Sequence, residues 1–118
     1  MKKQLEESDK NNYIEYISGI HKLLLRYGYT FQADLAGRMI EKFRRTEDPN
    51  CFVTNDLWGG MGSIIDCVMN YEGLEIESEQ VREDQRQFDS DLRCLAKLLI
   101  SNGLENKIIL QRYRALQP

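Results

Sequence analysis

Pro49 is the only proline in the interior of the chain, the other being residue 118. Proline removes a backbone donor and clashes with the preceding turn, so its scarcity leaves long helices open on both sides of residue 49. Apolar residues use that freedom. Tyr13, Ile17, Ile20, Leu24 and Tyr27 recur at spacings of three and four residues, one face of a helix over about 12–27. Phe31, Leu35, Met39 and Phe43, joined by Ala36 and Ile40, predict a second helix ending near Arg44 and Arg45. Val81, Phe88, Leu92, Leu95 and Leu99 mark the longest helix, over about 78–102, and Leu104, Ile108, Ile109, Tyr113 and Leu116 a last one.

The boundaries carry their own signals. Asn12 with Glu15 resembles a capping box, and residues 1–11 read as a flexible polar start outside a single helical domain over 12–118. Gly28 suits the left-handed position just past a helix, and Asn102-Gly103 closes the long helix in the same way. So short a turn at Gly28 makes the first two helices antiparallel neighbours. Thr30 and Ser78 are further caps. Cys51, Phe52 and Val53 suggest a short extended piece. Ser63 with Asp66 forms a second capping-box-like pair, opening a short helix to about Tyr71. The expected fold is all-α: a single compact domain of about five helices, with an antiparallel pair, a glycine-rich turn, a short helix, one long helix and a C-terminal helix.

Composition narrows the function classes. Charged residues make up 30% and the net charge is −3, so the chain lacks the basic surplus of a nucleic-acid binder. The start MKKQLEESDKNN has no apolar segment of a signal peptide, and no run is long enough for a membrane helix. Three cysteines without CxxC spacing suit a reducing cytoplasm better than a disulfide scaffold, and with one histidine they make no recognisable metal knuckle. No metal and no cofactor is expected.

Two segments are candidates for function. Asp56, Trp58, Gly59, Gly60, Gly62, Ser63 and Asp66 form a glycine turn before an expected helix N-terminus. It is either a structural turn that seats Trp58 or a small pocket for an anion, though it lacks the lysine of a P-loop and the pattern of a dinucleotide turn. The second is acidic. Residues 72–91 contain eight acids and two arginines, and Glu72, Glu75, Glu77, Glu79, Glu83 and Asp84 are the candidate partner-binding residues, since a negative face speeds encounter with a basic partner. His21 and the cysteines have no catalytic companion in the sequence, and no catalytic residue is assigned.

Over Asp56-Leu57-Trp58-Gly59-Gly60-Met61-Gly62-Ser63-Ile64-Ile65-Asp66 the chain resembles a family of small bacterial domains, largely of unknown function, that share a Trp-Gly-Gly-x-Gly-Ser-x-x-Asp core after an antiparallel helical pair. Its members resemble the immunity proteins carried beside polymorphic toxins. The resemblance implies a non-catalytic helical binder that neutralises a cognate toxin by direct contact. It brings no catalytic residues. A homo-oligomeric helical adaptor, and a small-ligand or enzyme domain built on Trp58–Ser63, are the alternatives.

Overall fold

The computed structural model describes residues 5–70 and 75–117. Among them are five α-helices and no strand: α1 (Glu7–Arg26), α2 (Thr30–Thr46), α3 (Asn55–Trp58), α4 (Ser78–Ser101) and α5 (Lys107–Ala115). Helix α1 packs against both α2 and α4, and α5 packs against α4 and α3. The all-α single domain expected from the apolar periodicity is the fold observed.

The stripes meet in one core, except that Phe31, expected in the α2 stripe, is exposed. Ile17, Ile20 and Leu24 of α1 join Ala36, Ile40 and Phe43 of α2, and Leu92, Leu95 and Leu99 of α4, with Ile109 from α5. At one end Tyr13, Phe43 and Phe52 pack ring to ring at centroid distances of 5.2–5.5 Å. The Tyr13 hydroxyl accepts from Asn102 Nδ2 at 3.0 Å, tying α1 to the end of α4. Burial pushes the Tyr13 phenol up to about 12.

Two glycines end helices as expected. Gly28 has φ +78°, and the Gly28 and Tyr29 amides donate back to the Leu25 and Leu24 carbonyls. Gly103 has φ +72°, and the Gly103 and Leu104 amides return to Ile100 and Leu99. Both are Schellman motifs, which satisfy carbonyls that a helix end would leave bare.

Three local expectations are corrected. Helix α1 starts at Glu7, inside the stretch read as a flexible start, and Asn12 is interior to it. Glu7 and Asp9 sit favourably in its first turn, and Lys10 Nζ lies 2.7 Å from a Glu47 carboxylate oxygen at the end of α2. The Cys51–Val53 region is a 3-10 turn (Pro49–Phe52) rather than extended, with the Asn50 amide donating to Asp48 Oδ1 at 3.0 Å. Of the helix expected from Ser63 to about Tyr71, residues 63–70 hold only the 3-10 turn Ile64–Asp66, after which Cys67 is extended, and Tyr71 lies outside the described residues. The short helix is instead α3, before the glycines.

Phe52 closes the aromatic end from the last position of the 3-10 turn between α2 and α3. Phe52→Ala should cost about 3–5 kcal/mol, seen as a lower urea midpoint at unchanged slope.

Candidate functional site

The glycine turn is assembled from α3 onward. Thr54 Oγ1 accepts from the Asp56 amide at 3.2 Å and starts the single turn of α3. The Gly59 amide donates to the Asn55 carbonyl at 2.8 Å, and this return brings Gly59 so close that a Cβ would sit 2.5 Å from that oxygen. Ser63 N donates to the Gly60 carbonyl at 3.0 Å, closing a four-residue turn whose third position, Gly62, has φ +86°. Glycine is required at 59 for space and at 62 for backbone torsion.

The turn spends its polar groups on the protein itself. The buried Trp58 indole donates to the Phe52 carbonyl at 2.7 Å. The Ser63 hydroxyl, expected to cap a helix, donates to the Gly59 carbonyl at 2.8 Å. Arg112 of α5 reaches across, its Nε to the Trp58 carbonyl at 3.1 Å and its Nη2 to the Gly59 carbonyl at 3.3 Å. Gln32 of α2 donates to the Gly62 carbonyl at 3.2 Å. Two clefts, of 440 and 400 Å³, open elsewhere, one beside Lys10 and Glu47 and one beside Arg26 and Glu75, and neither is lined by Trp58 or a turn glycine. Asp56 and Asp66 stand on the surface. The arrangement is a strap that fixes a loop to α2 and α5.

The acidic segment divides in two. Glu75, Glu77, Glu79 and Glu83 are exposed, Glu83 with Arg86 Nη1 at 3.3 Å. Glu72 lies outside the described residues. Asp84 is corrected from the partner-binding set, because it is buried and its oxygens are occupied. Arg26 Nη1 donates to both of them at 2.9–3.0 Å, the Tyr27 hydroxyl to Oδ2 at 2.7 Å and Gln80 Nε2 to Oδ1 at 2.8 Å. Burial alone would raise its pKa, but the hydrogen bonds from Tyr27, Arg26 and Gln80 and the Arg26 charge together hold it below the usual carboxylate value. The cluster joins the end of α1 to the start of α4.

Asp91, one heptad further along α4, is the counter-case. Its carboxylate fits over Gly19 of α1, where a Cβ would collide with it, and it accepts from Gln87 Nε2 at 3.1 Å. Burial, with Glu15 nearby, pushes it up to about 6 against the Gln87 hydrogen bond.

The remaining sequence candidates are structural in setting. Burial raises both the Cys51 and Cys67 thiols to about 11, so neither is a ready nucleophile at neutral pH. His21 sits at the α1–α2 seam, its Nε2 3.5 Å from where a Gly37 Cβ would be. Among the described residues no group of His, Cys, Asp and Glu is arranged to hold a metal, and no helix is long and apolar enough to cross a membrane.

A glycine series separates space from torsion. Gly59→Ala should destabilise by about 1–3 kcal/mol through the Asn55 contact. Gly62→Ala should cost about 1 kcal/mol for its left-handed torsion. Gly60→Ala, with nothing within 4 Å of its added carbon, should stay within about 0.5 kcal/mol.

The two buried aspartates should act oppositely on pH. With its folded pKa lowered, Asp84 contributes stability above the unfolded value of about 4 that is lost as pH falls below it. With its folded pKa raised to about 6, Asp91 makes stability fall as pH rises from about 4 to about 6, then level off. Asp91→Asn should therefore stabilise by about 1–3 kcal/mol at pH 7 and leave pH 4 nearly unchanged, whereas Asp84→Asn should destabilise at pH 7. Urea titrations at the two pH values read both. The chain matches no family model, no curated protein and no solved structure.

Proposed function

We propose that this chain is a non-catalytic binding protein of the immunity type, one that neutralises a cognate bacterial toxin in the cytoplasm by direct contact. The observation that carries the reading is the row of exposed carboxylates, Glu75, Glu77, Glu79 and Glu83, before and along the first turns of α4. Such a row attracts a basic protein surface, of the kind a nucleic-acid-directed toxin presents, and repels nucleic acid itself. Two further features support it. In the most distinctive sequence motif the polar groups of Trp58, Gly59 and Ser63 are bound up in holding the loop and α5, so polar chemistry at the surface falls to other residues. The three cysteines are free thiols, in keeping with a reducing compartment.

The test is a pull-down from the native host with the tagged chain as bait and mass spectrometry as readout. One co-encoded toxin-domain protein is the expected catch, and its activity should be inhibited by the purified chain. Recovery of the bait alone, or a catch that keeps full activity in the complex, removes the reading. With the partner in hand, Glu75→Lys, Glu77→Lys and Glu79→Lys together should slow association about tenfold at low salt and flatten its salt dependence.

A further inference from the structure

Of the five large apolar side chains that stand exposed among the described residues, four belong to segments that meet at the α1–α2 turn: Leu25, Phe31, Met61 and Val68. Hydrogen bonds fix that meeting. The Tyr29 hydroxyl donates to the Val68 carbonyl at 2.7 Å and accepts from its amide at 3.3 Å, and Gln32 holds the Gly62 carbonyl. The glycine turn thus stands against the start of α2, which carries Phe31, and presents Met61 with its side chain fully exposed. Its backbone is pinned on both sides of that methionine, by Ser63 and Arg112 at Gly59 and by Gln32 at Gly62. A flexible, adaptable side chain on a fixed backbone is suited to anchoring a partner without first ordering a loop.

Two carboxylates of the acidic row, those of Glu75 and Glu77, border the same end. Arg26, in the last turn of α1, lines one cleft with Glu75 and Glu77, and the Arg26–Asp84 bond fixes the first turns of α4 there. The Met69 amide donates to Gln85 Oε1 at 2.8 Å, carrying the strand of chain after Val68 onto α4. We infer that Phe31, Met61 and Val68, bordered by the carboxylates of Glu75 and Glu77, form the docking surface for a basic protein partner. Its apolar side chains seat on the three hydrophobics and its cationic ones on the acids. The inference rests on the reading of this chain as a binder and names the surface it uses. Charge decides the occupant: a second copy would bring one acidic row towards another, and an anionic lipid surface would be repelled.

The test uses two synthetic amphipathic helical peptides of matched leucine content, one with a lysine polar face and one with a glutamate polar face, added to the isotope-labelled full chain. The lysine peptide should shift the amide resonances of Phe31, Met61, Val68 and the start of α4, and the glutamate peptide should not. Phe31→Ser with Met61→Ser should weaken its Kd about tenfold, as loss of buried apolar contact requires. Met61→Ser alone, at a fully exposed position, should leave the fold intact and still weaken binding. Equal binding of both peptides, binding of neither, shifts confined to the carboxylates, or shifts that follow protein concentration alone each overturn the inference. A toxin captured equally well by wild type and the double variant overturns it too, while the binder reading stands. An empty pull-down with a positive peptide result has the opposite meaning.

Discussion

Helix α1 is the element on which the others depend, because it is buried along two directions at once. Its Ile17, Ile20 and Leu24 are fully buried, between α2 on one side and α4 on the other. Neither neighbour could close a core without it. Tyr13 extends this to the far end, tilted against Phe43 of α2 and stacked on Phe52 of the 3-10 turn, while its hydroxyl meets Asn102 at the end of α4. Near the other end Arg26 and Tyr27 hold Asp84. Apolar contact supplies the bulk of the attraction, and two polar fastenings near opposite ends of α1 set the register of α4 along it.

Polar groups inside this fold are matched to their surroundings in different degrees. Asp84 has three side-chain donors and a lowered pKa, whereas Asp91 has the Gln87 amide, burial, the nearby Glu15 charge and a raised pKa. Both follow from position. The apolar stripe of α4 runs through Phe88, Leu92, Leu95 and Leu99, and Asp84 and Asp91 fall in or beside that register. Spacing alone therefore placed two acids against α1. The block of eight acids that contains them concealed this, since a run of charge reads as a solvated face unless each position is tested against the helical period.

The helical stripes and the glycine stops at 28 and 103 were legible because each rests on local chemistry: side-chain period, and a torsion other residues resist. What the sequence concealed depends on contacts distant along the chain. Helix α1 begins ahead of the Asn12 signal, and the meeting of Lys10 with Glu47 appears only in the fold. Ser63 turns back to Gly59 instead of capping, since the turn already brings that carbonyl to it. Arg112, which reads as a favourable charge at a helix end, is the clamp that holds the glycine turn to α5 through carbonyls 53 and 54 residues away. The candidate site was half visible for the same reason. The exposed glutamates follow from composition, while the grouping of Phe31, Met61 and Val68 needs the Tyr29 and Gln32 hydrogen bonds to bring it about.

The brevity of the link at Gly28 has a consequence for how the chain reaches this structure. Only three residues, 27–29, separate α1 from α2, so their hairpin closes at small entropic cost. The Arg26–Asp84 fastening instead closes a span of 58 residues. The expected sequence of events is an α1–α2 hairpin first, then capture of α4, and last the ordering of the glycine turn, which needs Gln32 from the hairpin and Arg112 from α5 already in position. The loop that carries Met61 is thus the part of the molecule whose shape waits on all the rest, and a chain stopped short of α5 would lack the arginine that holds it.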